Sequence, residues 1–233
     1  LSSVAVSDRA TGPYTFLRAG RPDAGVYPVN ALPQHFGKSR AAGMRFDGGS
    51  LPEHPDSLNL VGRDAAQGQM ARDMTLFVDD DGRAYHVYSS EEDSTLHISE
   101  LTDDYLAHSG RYARFFVGRF MEAPALFKRG GRYYLMMSGC TGWAPNAARS
   151  AVAESVWGPW RELGNPCEGP GAETTYNSQS TFVVAVAGTD RYIYMGDRWN
   201  PADAADGRYV WLPVRFEGEG FRVEWRDRWR WEE

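Results

Sequence analysis

The chain has few of the features that mark a membrane-spanning, nucleic-acid-binding or metal-binding protein. Its apolar runs are all shorter than the roughly 18 residues that a membrane-spanning helix needs. Its 31 Asp and Glu outnumber its 25 Lys and Arg, and no basic run is present. Neither a membrane nor a nucleic acid is therefore an expected partner. The five histidines, at positions 35, 54, 86, 97 and 108, show no metal-ligand spacing, so no metal site is predicted.

Cysteine is also scarce, since Cys140 and Cys167 are the only two. Either one disulfide or none fits this count, which leaves the redox compartment undecided. No nucleophile-elbow motif is present, so Ser-His-Asp chemistry has little support. The first residues lack the basic segment and apolar core of a signal peptide. They begin directly in strand-like sequence, which predicts a further part upstream.

Aromatic residues, in contrast, are abundant. They make up 13% of the chain, with eight Trp and twelve Tyr. Aromatic side chains favour strands, so this share is typical of a β-rich protein and also suits an aromatic-lined cleft. The length of 233 residues permits one large all-β domain or two small ones.

A hairpin pattern recurs along the chain. Residues 73–90, 122–139 and 179–197 each contain an apolar strand, a turn rich in Gly with Asp or Arg, and an aromatic strand. A second element, an alternating strand leading to Gly-Pro-aromatic, occurs at 4–17 and again at 151–163. Hairpin units repeating about every 50 residues predict an all-β fold, a β-propeller of four-stranded antiparallel blades. A β-sandwich is the alternative.

Residues 20–70 interrupt this pattern. The segment is rich in Pro and Gly and has no sustained period. So long a loop is unusual within a domain. We therefore predict one domain over residues 1–233 with an insertion at about 20–70, which is either an ordered loop at the substrate face or a flexible insertion.

Three polar residues occur at the same phase of the repeat. Asp73, Glu122 and Gln179 stand where the first strand of each hairpin begins. Innermost propeller strands surround a central axis, so these side chains are expected to converge. Glu122 lies among apolar residues, which should raise its pKa and suit it to act as a general acid. The alternative is that the three residues satisfy backbone groups at strand ends, with Glu122 paired to an Arg.

Aromatic and Arg residues follow two of the hairpins. Trp143 lies on a Gly-Pro loop, where its indole could stack on a sugar. Further candidates for substrate binding come after the third hairpin: Arg198, Trp199, Asn200 and Arg208. Arg beside aromatic residues suits hydroxyl recognition, but structural Arg–Trp stacking is equally common.

Several of these motifs together resemble glycoside hydrolase family 43, in the branch of exo-β-1,3-galactanases. They are RDMTLFVDDDGRAY (72–85), FMEAPALFKRGGRYYLMMSG (120–139), GCTGWAPN (139–146), YNSQSTFV (176–183) and DRWNP (197–201). The resemblance implies a five-bladed β-propeller of which this chain covers about three blades. It also implies that Glu122 is the general acid, Asp73 modulates its pKa, and Gln179 is an unusual base or positions water.

The resemblance has further implications for function. The expected activity is inverting release of terminal sugars from galactan or arabinogalactan side chains. An α-L-arabinofuranosidase, a β-galactofuranosidase or a non-catalytic carbohydrate-binding remnant are the alternatives. The resemblance implies that no cofactor is required, although a structural calcium or sodium ion on the propeller axis fits the family. By analogy with the family, we expect the protein to be secreted or periplasmic. Because upstream blades are not found, we expect a second copy or a complementing chain to complete the ring.

Overall fold

The computed structural model describes residues 1–46 and 55–231. Within those ranges nearly all regular structure is β-strand, as the sequence predicts. The chain divides into two compact units, Leu1–Phe120 and Met121–Glu233. None of the described helices is long and apolar enough to cross a membrane.

The first unit contains two antiparallel sheets. Strands β1 (Ser2–Val6) and β2 (Thr15–Gly20) form a hairpin, and the second sheet has the order β3-β4-β5-β6. The strands of this second sheet are β3 (Met74–Val78), β4 (Ala84–Ser90), β5 (Thr95–Leu101) and β6 (His108–Phe115). All seven residues of β4 are buried, so this strand forms the centre of the unit.

The predicted insertion packs against strand β6 in the described part of the segment. It contains two 3-10 turns, Pro33–Phe36 and Pro55–Leu58, and the short helix α1 (Leu60–Asp64). The backbone N–H of Val29 donates to the carbonyl of Tyr112 at 2.7 Å, and the Asn30 amide bonds both backbone groups of Arg114. Over these residues the segment is an ordered loop with its own hydrogen bonds, whereas residues 47–54 lie outside the described residues.

The second unit also contains two sheets. One has the order β10-β9-β8-β7 and the other β11-β15-β14-β13-β12. Their strands are β7 (Met121–Arg129), β8 (Arg132–Gly139), β9 (Arg149–Ala153), β10 (Arg161–Gly164), β11 (Cys167–Glu168), β12 (Gln179–Ala185), β13 (Tyr192–Arg198), β14 (Arg208–Glu217) and β15 (Gly220–Glu224). The expected four-stranded pattern is extended in one place, because β11 adds a two-residue parallel strand to β15.

An aromatic cluster forms the core of this second unit. Phe127 and Tyr134 stack at 5.4 Å between ring centroids, and Phe221 packs edge-on against both. Edge-to-face and offset pairs of this kind stabilise beyond their buried area. The cluster joins β7 and β8 to β13, β14 and β15, so it fixes the two sheets of the unit against each other.

The predicted hairpins are confirmed. Strands β3–β4, β7–β8 and β12–β13 each form an antiparallel pair. The segments that share the Gly-Pro-aromatic element form the pairs β1–β2 and β9–β10. The repeat seen in the sequence is therefore a repeat of two successive hairpins.

Candidate active site

The three phase-matched polar residues all lie at strand starts, as predicted. Asp73 directly precedes β3, Glu122 is the second residue of β7, and Gln179 is the first residue of β12. Asp73 belongs to the first unit and is exposed, whereas Glu122 and Gln179 belong to the second unit and are half-buried. The second unit therefore brings two of the three predicted residues together.

A β-bulge sets the direction of Glu122. The pairing register between β7 and β8 shifts between Glu122 and Ala125, and Ala123 has a left-handed φ of 50°. The hydroxyl of Ser180 donates to the Ala123 carbonyl at 2.6 Å, which holds the bulge in place. Bulges of this kind re-aim a side chain and are common beside active sites.

The Gln179 side chain is the centre of the hydrogen-bond network at this point. Its Nε2 donates to Glu122 Oε1 at 3.2 Å and to Ser138 Oγ at 2.8 Å. Its Oε1 accepts from the indole Nε1–H of Trp199 at 3.2 Å. Ser138 is the cross-strand partner of Glu122 and is buried. A carboxylate, a hydroxyl and an indole thus converge on one amide.

A cavity of about 300 Å³ adjoins this network. Gln179, Ser138, Trp143 and Trp199 are among its lining residues. The indoles of Trp143 and Trp199 meet edge to face, with ring centroids 5.2 Å apart, and both remain more than half exposed. This volume is at the lower end of the roughly 300–1,000 Å³ of small-molecule sites. Exposed aromatic faces beside polar groups suit a ring with one apolar face, such as a sugar.

The loop that carries Trp143 is held by Asn146. The side-chain oxygen of Asn146 accepts from the Gly139 N–H at 2.8 Å, and its nitrogen donates to the Gly139 carbonyl at 2.9 Å and to Thr141 Oγ1 at 2.7 Å. A single amide thereby closes residues 139–146 into a fixed turn. Trp143 is presented on a loop with defined geometry.

The remaining sequence candidates lie around a second cavity, of about 360 Å³, which Trp143 and Trp199 also line. Arg198 donates two hydrogen bonds to the Tyr176 carbonyl, at 3.2 and 2.9 Å, and stacks on Trp225. Asn200 accepts from the backbone of Ala202 and Asp203. Arg198 therefore anchors the segment before β12, and Asn200 shapes the loop after β13. Arg208 is exposed and pairs with Asp206.

The match to a family model settles the classification. The model for glycosyl hydrolases family 43 matches residues 56–212, more than half of the chain. This chain belongs to glycoside hydrolase family 43.

Solved structures of family 43 enzymes are similar to this chain. A family 43 β-1,3-galactosidase solved with galactodeoxynojirimycin is 45% identical with a TM-score of 0.89, and the match covers 98% of this chain and 67% of that one. The exo-β-1,3-galactanase 1,3Gal43A from Clostridium thermocellum is 34% identical with a TM-score of 0.71, covering 95% of this chain and 41% of that one.

A curated relative is similar over a shorter stretch. A β-D-galactofuranosidase from Aspergillus niger (strain ATCC MYA-4892 / CBS 513.88 / FGSC A1513) is 29% identical over 162 residues, which are 67% of this chain and 46% of that protein. The chain spans less than half the length of that relative. The resemblance drawn from the sequence motifs is confirmed at the level of family 43.

Two residues beside this network were not predicted from the sequence. Ser138 contacts Gln179, and Asp197 lines the second cavity and pairs across the sheet with Gln179. Burial raises the pKa of Asp197. Their positions in the repeat could have indicated them. Each stands on the second strand of a repeated hairpin, opposite Glu122 or Gln179.

Both cysteines are reduced thiols in the structure. Cys140 and Cys167 are not joined in a disulfide, and burial raises the pKa of the Cys167 thiol to about 12. Throughout residues 1–46 and 55–231, no three His, Cys, Asp or Glu side chains converge into a metal-binding group.

Proposed function

We propose that the chain is an inverting glycosidase that releases terminal galactose from β-1,3-linked galactan or from the side chains of arabinogalactan. The observation that carries the proposal is the contact of Gln179 with Glu122 beside a cavity lined by two tryptophans. The family and the similarity to β-1,3-galactosidases and galactanases support the same sugar and linkage.

The reaction needs one proton donor and one activated water on opposite faces of the sugar. Glu122 donates its proton to the glycosidic oxygen as the bond to the anomeric carbon breaks. Gln179 Oε1 has a second acceptor position besides the one used by Trp199, and there it positions the attacking water. The water oxygen bonds to the anomeric carbon with inversion and its proton leaves to solvent, from which Glu122 regains a proton.

Asp73 has a supporting role in this proposal. Its position before β3 and the motif around it are those of the pKa-modulating carboxylate that the family resemblance implies. In the family resemblance, the negative charge of that carboxylate disfavours ionisation of the acid, which keeps the acid protonated at higher pH. We assign Asp73 this role rather than direct proton transfer.

Substrate binding is assigned to the exposed aromatic side chains. Trp143 and Trp199 offer ring faces to the sugar, and Arg208 is an exposed cation next to the second cavity. Arg198 and Asn200 act through loop shape, since Arg198 donates to the Tyr176 carbonyl before β12 and Asn200 accepts from backbone N–H groups after β13. Binding and loop support are therefore divided among the five residues.

A β-galactofuranosidase is the second candidate function. The observation that favours it is the Aspergillus niger relative, whose activity is on galactofuranosides. The test is a panel of 4-nitrophenyl glycosides, comparing β-D-galactopyranoside, β-D-galactofuranoside and α-L-arabinofuranoside. Our proposal predicts the highest kcat/KM for the galactopyranoside. A preference for either furanoside would contradict it, and binding without release from any substrate would indicate a carbohydrate-binding module.

We further propose that each of the three larger sheets is one propeller blade and that the chain associates with a second copy or a complementing chain. The support for association is an exposed apolar surface on the sheet of β12, β13 and β14. Phe182 pairs with Met195, which pairs with Trp211, so these side chains share one face. Phe182 is 39% exposed and Trp211 is 56% exposed. Apolar patches of this kind mark interaction surfaces.

A further inference from the structure

The orientation of the Gln179 amide decides what it can do to a substrate. Its oxygen is an acceptor and its nitrogen a donor, so exchanging the two ends reverses the chemistry offered to a water molecule. Three side chains contact the amide: Ser138 and Glu122 at the nitrogen, and Trp199 at the oxygen. They differ in how strongly each one distinguishes the two orientations.

Ser138 does not distinguish them. A hydroxyl both donates and accepts, so Ser138 Oγ can accept from Nε2 as it does at 2.8 Å, and it can equally donate to the amide oxygen after a flip. Glu122 distinguishes the two only while it is ionised, because a carboxylate accepts and cannot donate. Once protonated, Glu122 can donate to the oxygen of a flipped amide.

Trp199 is different from both. An indole N–H donates and never accepts, so its contact with Gln179 Oε1 at 3.2 Å is satisfied in only one orientation. This holds whether or not Glu122 carries a proton. The indole is itself held against the edge of Trp143, 5.2 Å away between ring centroids.

We propose that Trp199 is a positioning residue, whose indole N–H keeps the Gln179 amide in one orientation while Glu122 loses and regains its proton. This inference rests on the proposed function, in which Glu122 is the acid and Gln179 positions water. The protonated state of Glu122 is the one that begins the reaction, and it is also the state in which the carboxyl group no longer distinguishes the two orientations of the amide.

Loss of the indole N–H has two consequences that can be measured. A flipped amide presents NH₂ where the water needs an acceptor, so kcat falls. The flipped oxygen also accepts a hydrogen bond from protonated Glu122 and stabilises that form. The basic limb of the pH–rate profile, where activity is lost as Glu122 ionises, therefore moves to higher pH.

The test is Trp199→Phe, which retains an aromatic face and removes the N–H. With β-1,3-galactotriose as substrate, we expect kcat to fall about tenfold and the basic limb to move up by about half to one pH unit. Trp199→Tyr should shift the limb in the same direction, since a phenol hydroxyl both donates and accepts. Ser138→Ala should leave the limb in place. Trp160→Phe is the matched control, since it removes an indole N–H that donates to the Val156 carbonyl at 3.1 Å in the turn between β9 and β10.

A role of Trp199 in sugar stacking alone predicts a different result. KM would rise and the basic limb would stay where it is in the wild type, which would overturn the inference. Melting temperatures of the variants check the fold, and Trp199 is 53% exposed, so its replacement removes little core packing. If Glu122→Gln is inactive while Trp199→Phe keeps the wild-type limb, the inference fails and the proposed function stands. If Glu122→Gln keeps full turnover, the proposed function fails first.

Discussion

At the scale of single residues, Gln179 has the less usual role in the proposed mechanism, because there an amide takes the place of the second carboxylate of an inverting glycosidase. Gln179→Ala removes the group that positions the water. We expect kcat to fall by about 10²–10³ for both β-1,3-galactobiose and an activated aryl β-galactoside, since water attack is required whichever group leaves.

The measurement is steady-state kinetics on the two substrates, with Gln67→Ala as control. Gln67 is an exposed residue of the first unit, so its loss should leave both rates unchanged. Unchanged hydrolysis in Gln179→Ala would return Gln179 to a structural role. A fall confined to the substrate with the poor leaving group would assign it to leaving-group chemistry instead.

At the scale of elements, the turn between β4 and β5 ties the insertion to its sheet through buried charge. Glu91, the first residue of that turn, accepts from His97 at 2.8 Å and pairs with Arg114 at 2.5 Å. Arg114 also pairs with Asp56 of the second 3-10 turn at 2.8 Å. Burial alone would raise the pKa of Glu91, but the hydrogen bond from His97 and the charge of Arg114 outweigh burial and lower it to about 2.

This pKa predicts how stability depends on pH. A carboxylate whose folded pKa lies below its ordinary 4.5 stabilises the fold above pH 4.5 and loses that contribution as pH falls towards about 2. Glu91→Gln should therefore cost about 3–5 kcal/mol of unfolding free energy at pH 7, because it leaves Arg114 buried without its main partner. The difference between wild type and variant should shrink below pH 4.5.

Thermal denaturation followed by circular dichroism from pH 3 to 7 checks this prediction. Glu100→Gln is the control, since Glu100 pairs with the exposed Arg111 at 3.2 Å in the same sheet, and an exposed pair contributes at most about 1 kcal/mol. A Glu91→Gln deficit that is the same at pH 3 and pH 7 would contradict the low pKa.

Much of the element pattern could be predicted because it depends on local sequence. Hairpin turns such as Gly130-Gly131 and the alternation of apolar residues specify the strand pairs, and the repeat phase indicated Glu122 and Gln179. The bulge at Ala123 could not be predicted, because it depends on the hydroxyl of Ser180 from another strand. The contacts of Ser138 with Gln179 and of Glu91 with Arg114 could not be predicted either, since each joins residues that are distant in sequence.

At the scale of the whole molecule, the exposed apolar face of the β12–β13–β14 sheet predicts self-association or capture of a complementing chain. Light scattering of the purified chain over a range of concentrations should give a mass above that of one chain. Trp211→Arg should lower the association, whereas Thr189→Arg, in the turn between β12 and β13, adds the same charge away from that face. A monomer at all concentrations, with full activity, would contradict the prediction.

The central claim is that Glu122 is the proton donor of an inverting β-1,3-galactosidase. Proton NMR of the sugar released from β-1,3-galactotriose tests it most directly, comparing wild type with Glu122→Gln. We expect the wild type to release α-galactose first, and the variant to lose about 10²–10⁴ in kcat while it retains most activity on 2,4-dinitrophenyl β-galactoside, whose leaving group needs no proton. Release of β-galactose, or a Glu122→Gln variant that cleaves the trisaccharide at the wild-type rate, would contradict the claim.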